Sequence, residues 1–134
     1  MIYLDACALV KFIKAEKETE ALRTWRQGLA EGTELIASEL VRLEIARALL
    51  RAGADRTRVL HHVGQAVKGV YLVDLTSTVL ARAGGYPTPK LGSLDAIHLA
   101  SAEPFRDELT GFVTYDAELA SAADGLGLPV TAPS

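Results

Sequence analysis

Two rhythms of apolar positions alternate along this chain. Short apolar runs at 2–4, 34–37, 70–73, 111–114 and 128–130 read as strands. Longer stretches with helical spacing fill the gaps at 6–13, 18–29, 39–51, 56–67, 94–102 and 117–123, and one more runs to 83 from a cap at Thr76 or Ser77. In the second helix Ala21, Leu22, Trp25 and Leu29 fall on one face, with Trp25 as its anchor. Ser38 is placed to cap 39–51 and Ser93 to cap 94–102, while Gly53 and Gly69 stop the helices before them. The loop "GGYPTPKLG" at 84–92 is the one stretch rich in Gly and Pro. Strands alternating with helices predict an α/β fold, a parallel sheet covered on both faces in three layers. In such a sheet the working site lies at the carboxyl ends of the strands.

Four carboxylates occupy that address. Asp5 follows the first strand directly and interrupts "MIYLDACALVK" where a buried core begins. Asp116 follows "FVTY", Glu44 lies in the second turn after "LIA", and Asp95 lies in the first turn after Ser93. Singly, each has an ordinary explanation: Asp5 and Asp116 as helix caps, Asp95 as a partner of its helix dipole, Glu44 paired with Arg47. Glu44 fits this least well, because Leu40, Val41 and Ala48 share its face. Several acids that are partly buried together repel one another, and a divalent ion removes the conflict; oxygen ligands suit Mg²⁺ or Mn²⁺. His98 stands three residues after Asp95, the spacing of a helical carboxylate–histidine metal pair, although a packed histidine is the commoner case.

Composition narrows the class. The chain has 134 residues, 49% hydrophobic and 23% charged, which suits one globular domain over 1–134. Its apolar runs fall short of the ~20 residues of a membrane span, and Asp5 and Lys11 break the first one too early for a signal sequence, so a cytoplasmic protein is expected. The single cysteine, Cys7, excludes an internal disulfide and a cysteine-based zinc cluster, and a small buried residue is its expected role. The net charge of −3 argues weakly against a nucleic-acid partner, since four acids engaged with metal would leave the remainder slightly basic.

Taken in order, "YLDACALVK", Glu44 within "SELVRLEIARAL", "SLDAIHLASA" and "FVTYDAELASAA" resemble the PIN domain, and more narrowly the VapC toxins of type II toxin–antitoxin pairs. The resemblance spans nearly the whole chain. It implies a three-layer fold with a short five-stranded parallel sheet and an Mg²⁺- or Mn²⁺-dependent endoribonuclease held inactive by a cognate VapB-like antitoxin. The family's acidic positions fall on Asp5, Glu44, Asp95 and Asp116, and its supporting hydroxyl on Thr114. Asp5, Asp95 and Asp116 would bind metal, with Glu44 acting through water or positioning the attacking water. Two positions depart from the pattern: Cys7 stands where a Ser or Thr is usual, and Gly92 where many relatives have a basic residue.

An RNA substrate needs cations for its phosphates, and Lys11, Lys14, Arg47, Arg51 and Lys90 are the candidates, with Tyr86 and Tyr115 placed to stack on an unpaired base. Unpaired or looped RNA is the expected target. The surplus apolar residues of 39–51 and 56–67 suit a homodimer and an antitoxin docking groove, giving a toxin–antitoxin hetero-oligomer. Other classes fit less well. A phosphotransfer receiver domain needs paired acids after the first strand, and a dehalogenase-like phosphatase needs an Asp where Cys7 stands. A silent PIN-like binding module would have lost an acid, and none is missing.

Overall fold

The computed structural model describes residues 1–134. Five parallel strands form one sheet: β1 (Ile2–Leu4), β2 (Leu35–Ser38), β3 (Val70–Val73), β4 (Gly111–Val113) and β5 (Val130–Thr131), in the order β3-β2-β1-β4-β5. The chain builds outward from β1 to β3, then returns to the other side of β1 for β4 and β5. The strand order therefore reverses between β1 and β4, where Leu4 pairs with Val113, and such a switch point opens a crevice at the carboxyl edge.

Side chains alternate across the sheet and so define two cores. Ile2, Leu4, Leu35, Ala37 and Val113 face α1 (Ala6–Val10), α2 (Thr19–Gln27), α3 (Val41–Arg51) and α4 (Val59–Ala66), which contribute Leu9, Leu22, Val41, Ile45 and Val63. Tyr3, Ile36 and Phe112 face the other way, onto Leu99 and Ala102 of α6 (Ser93–Ala102) and Leu119 and Ala123 of α7 (Ala117–Gly125). α5 (Ser77–Gly84) rests against α6. Burying each large apolar side chain contributes ~1.5–3 kcal/mol, and the Tyr3 ring also stacks on Phe112 with centroids 4.9 Å apart.

The three-layer α/β expectation holds, with local corrections. The first helix stops at Val10 rather than 13, because Phe12 and Ile13 donate back three residues and tighten the chain into turns. Ser38 is the last residue of β2; its hydroxyl accepts the Leu40 N–H, and α3 begins only at Val41. Ser93 is the first helical residue of α6, and Gly92 takes the cap position without a side-chain bond. The stretch 56–67 divides into a 3-10 turn at Arg56–Arg58, capped by Asp55, and α4. The last strand starts two residues later than expected: Pro129 only accepts, from Phe112 N–H, and pairing begins at Val130. Gly53 and Gly69 do end their helical segments, at φ values of 84° and 78° that favour glycine.

Candidate active site

Asp5 leaves β1 at the switch point and answers two local demands at once. One carboxylate oxygen caps α1 by accepting the Ala8 N–H at 2.9 Å. The other accepts the Thr114 hydroxyl at 2.5 Å across the gap between β1 and β4. The Thr114 oxygen in turn accepts the Asp116 N–H at 3.0 Å, so a single hydroxyl joins the two strand ends. Asp5 is 3% exposed, and burial pushes its carboxyl pKa up against the pull of the Thr114 and Ala8 bonds. Asp116 caps α7 with Oδ1, taking the N–H groups of Glu118 and Leu119. For both residues the ordinary capping role is real.

Asp95 sits half-buried in the first turn of α6. Partial burial raises its pKa first, and the charge of Asp116 next, with Asp5 adding to it. Cys7 reports the same field: desolvation, then Asp5, Asp116 and Glu44, push its thiol up to about 11. It is exposed, not the small buried residue expected, because the short α1 turns it away from the core. The acids thus share one edge and sense one another. No three acidic, histidine or cysteine side chains of the chain stand together at metal-ligating distance. The donor chemistry does fit a hard divalent ion, since Asp5, Asp95, Asp116 and Glu44 all offer carboxylate oxygens.

Glu44 reaches this edge from α3 and ends on His98. Its Oε1 lies 2.7 Å from the imidazole Nε2, a contact that joins the two helical layers across the strand ends. His98 Nδ1 lies 2.6 Å from the Tyr3 hydroxyl, which accepts the Ser38 N–H at 3.2 Å. Sequence reasoning missed this partnership, which spans 54 residues from Glu44 to His98; the only signal was that both lie on apolar helical faces. Both ring nitrogens are engaged, so the Asp95–His98 metal pair is not available.

The proposed cations divide. Lys11 is buried: it binds Glu16 at 3.0 Å and Glu18 at 2.9 Å and covers the Tyr115 ring. It is a structural cation rather than a phosphate ligand, because the turn after α1 folds both glutamates back onto it. Two glutamate bonds outweigh its desolvation and raise its pKa. Tyr115 is correspondingly unfit for base stacking; Lys11 covers its ring and its hydroxyl donates to the Pro133 carbonyl at 2.7 Å. Lys14 is half exposed, 3.8 Å from Glu16, while Arg47 and Arg51 are exposed on α3. Lys90 and Tyr86 line a cavity of about 680 Å³ that also reaches Asp95, Glu118, Leu91 and Leu126. The buried Tyr86 hydroxyl has no hydrogen-bond partner there.

Known proteins agree with this architecture. The PIN-domain family model matches residues 2–125. Ribonuclease VapC35 of Mycobacterium tuberculosis is 39% identical over 99% of this chain and 97% of its own length. Ribonuclease VapC47 of the same species is 38% identical over the same shares. Among solved structures, M. tuberculosis VapC20, described as a sarcin–ricin loop cleaving toxin, superposes with a TM-score of 0.72 at 12% identity over 91% of this chain and 95% of that one. A toxin–antitoxin complex from Klebsiella pneumoniae gives 0.71 at 14% identity over 100% and 98%. No helix of the present chain is long and apolar enough to cross a membrane.

Proposed function

The chain belongs to the PIN-domain family, on its VapC branch, and from that premise we propose that it is a metal-dependent endoribonuclease toxin restrained by a VapB-like antitoxin. The observation that carries this reading is the Asp5–Thr114–Asp116 linkage at the switch point, with Asp95 and Glu44 on the same edge. Asp5, Asp95 and Asp116 would hold Mg²⁺ or Mn²⁺. A bound ion of this kind supplies an acidified water and relief of charge at the phosphoryl group. Thr114 keeps the Asp5 carboxylate aimed across the crevice. Glu44 orients the attacking water as acceptor, and in-line hydrolysis leaves a 5′-phosphate and a 3′-hydroxyl.

Lys90 and Tyr86 place an RNA strand along the cavity that reaches Asp95, with Arg51, Arg47 and Lys14 gripping phosphates further out. The antitoxin would dock on the apolar surplus of α3 and α4, where Leu43 and Leu60 are exposed, and block the acids with a cation of its own. The homodimer and the cytoplasmic location belong to the same reading. A silent RNA- or protein-binding module is the second reading; it is favoured by the absence of three side chains at ligating distance. Incubating the purified chain with mixed RNA separates the two. Cleavage with Mg²⁺ or Mn²⁺ that stops in chelator and in Asp5→Asn supports the nuclease. An equally active Asp5→Asn removes the nuclease assignment to this site, and 2′,3′-cyclic phosphate ends contradict in-line hydrolysis.

A further inference from the structure

We propose that Tyr3 and His98 form a positioning device for Glu44, delivering its carboxylate to the acid edge in one fixed orientation; this rests on the nuclease reading above. A histidine that merely fills a core needs one partner for each ring nitrogen, and any backbone group would serve. His98 is 2% exposed, yet its donor is spent on a side chain of the acid cluster. Everything behind that donor is rigid. Tyr3 has no exposed surface, stacks on Phe112 at an interplanar angle of 8° and meets the imidazole edge-on at 79°. Its hydroxyl takes the Ser38 N–H and has one proton to give, which goes to Nδ1. That assigns the neutral ring its proton on Nε2, directed at Glu44.

The consequence is geometric. Glu44 lies on the opposite helical layer from His98, and a free glutamate there would sample several rotamers. With Oε1 held, Oε2 remains for the water that the reaction uses, and its place is set before substrate arrives. Neither His98 nor Tyr3 touches substrate in this account; both act through Glu44.

Three substitutions separate positioning from packing. Tyr3→Phe keeps the ring and removes the hydroxyl. His98→Leu removes both ring contacts. His98→Gln keeps a donor at the Nε2 position. The device predicts that Tyr3→Phe and His98→Leu lower kcat for Mn²⁺-supported RNA cleavage by roughly 10- to 100-fold, the scale of a small misplacement, with KM and half-saturating Mn²⁺ unchanged. His98→Gln should recover most of the loss, and Tyr3→Phe should add nothing in a Glu44→Gln background. Wild-type kcat in folded Tyr3→Phe and His98→Leu, or additive losses with Glu44→Gln, would overturn it. A second readout needs no activity. Nitrogen-15 NMR of the metal-free protein should show His98 as the Nε2–H tautomer, with a slowly exchanging ring proton that Glu44→Gln perturbs. A ring proton on Nδ1, or one insensitive to Glu44→Gln, overturns the device whatever the RNA assay gives. A wild-type chain inert toward RNA that keeps this ring signature defeats the nuclease reading and supports the bond.

Discussion

Two clusters of charge flank the short α1 helix, and they are built on opposite principles. Around Lys11 the charges are matched: one buried ammonium meets two carboxylates and an aromatic face. Around Asp5 the charges are alike, with the Thr114 hydroxyl, backbone N–H groups and the His98 imidazole standing among them. The first arrangement lowers the energy of the fold as it stands. The second leaves Asp5 and Asp95 reluctant to ionise, a cost that the proposed metal ion would relieve. On the proposed reading, adjacent segments of one sequence divide the work of stability and function.

The sharpest way to separate the clusters is to neutralise one residue in each. Asp5→Asn keeps an acceptor for the Ala8 N–H, so the fold should persist while RNA cleavage drops by at least about 1,000-fold, the scale of several kcal/mol lost with a metal ligand; initial rates at saturating Mn²⁺ measure it. Lys11→Met should do the reverse. It strands two glutamates, so the melting temperature falls by several degrees, while the folded fraction cleaves RNA at the wild-type rate.

The pH dependences should differ in sign. The raised Lys11 pKa contributes stability that is complete below the unfolded lysine value and lost as pH rises through the folded one. Glu18 is lowered, chiefly by its Lys11 bond, so its share is present above the unfolded glutamate value and lost as pH falls through the folded one. Asp95 is raised, so in the metal-free chain it weakens the fold above its folded pKa and ceases to do so below the unfolded value of ~3.9. Asp95→Asn should therefore melt slightly higher than wild type at neutral pH, and the difference should close as pH approaches 4. Melts in chelator at several pH values test this. The smallest effect concerns salt. Lys90→Ala should reduce the slope of log affinity against log salt by ~0.7, the value for one phosphate contact on single-stranded nucleic acid, while Lys11→Met leaves it unchanged.

The sheet was legible because its strands are short apolar runs, and the acids because they follow strands or open helices. Those are local properties. What the sequence hid depends on where the chain returns. Lys11 reads as a free cation until the turn after α1 brings Glu16 and Glu18 back to it. Cys7 reads as core until the first helix proves to be five residues long. Glu44 looked out of place on an apolar face and His98 read as an ordinary packed histidine, and only the crossing of the two layers makes them partners.

Divalent-ion binding by the chain alone tests the central claim most directly, because it asks whether the like-charged edge is a metal site. Titrating Mn²⁺ while following the melting temperature should give a rise for wild type that starts near Kd and grows with the logarithm of the ion concentration, worth ~2.7 kcal/mol at a hundredfold excess over Kd. Asp5→Asn and Asp116→Asn should lose most of that rise, and Lys11→Met should keep it. No rise in wild type, or an equal rise in the aspartate variants, would contradict the account.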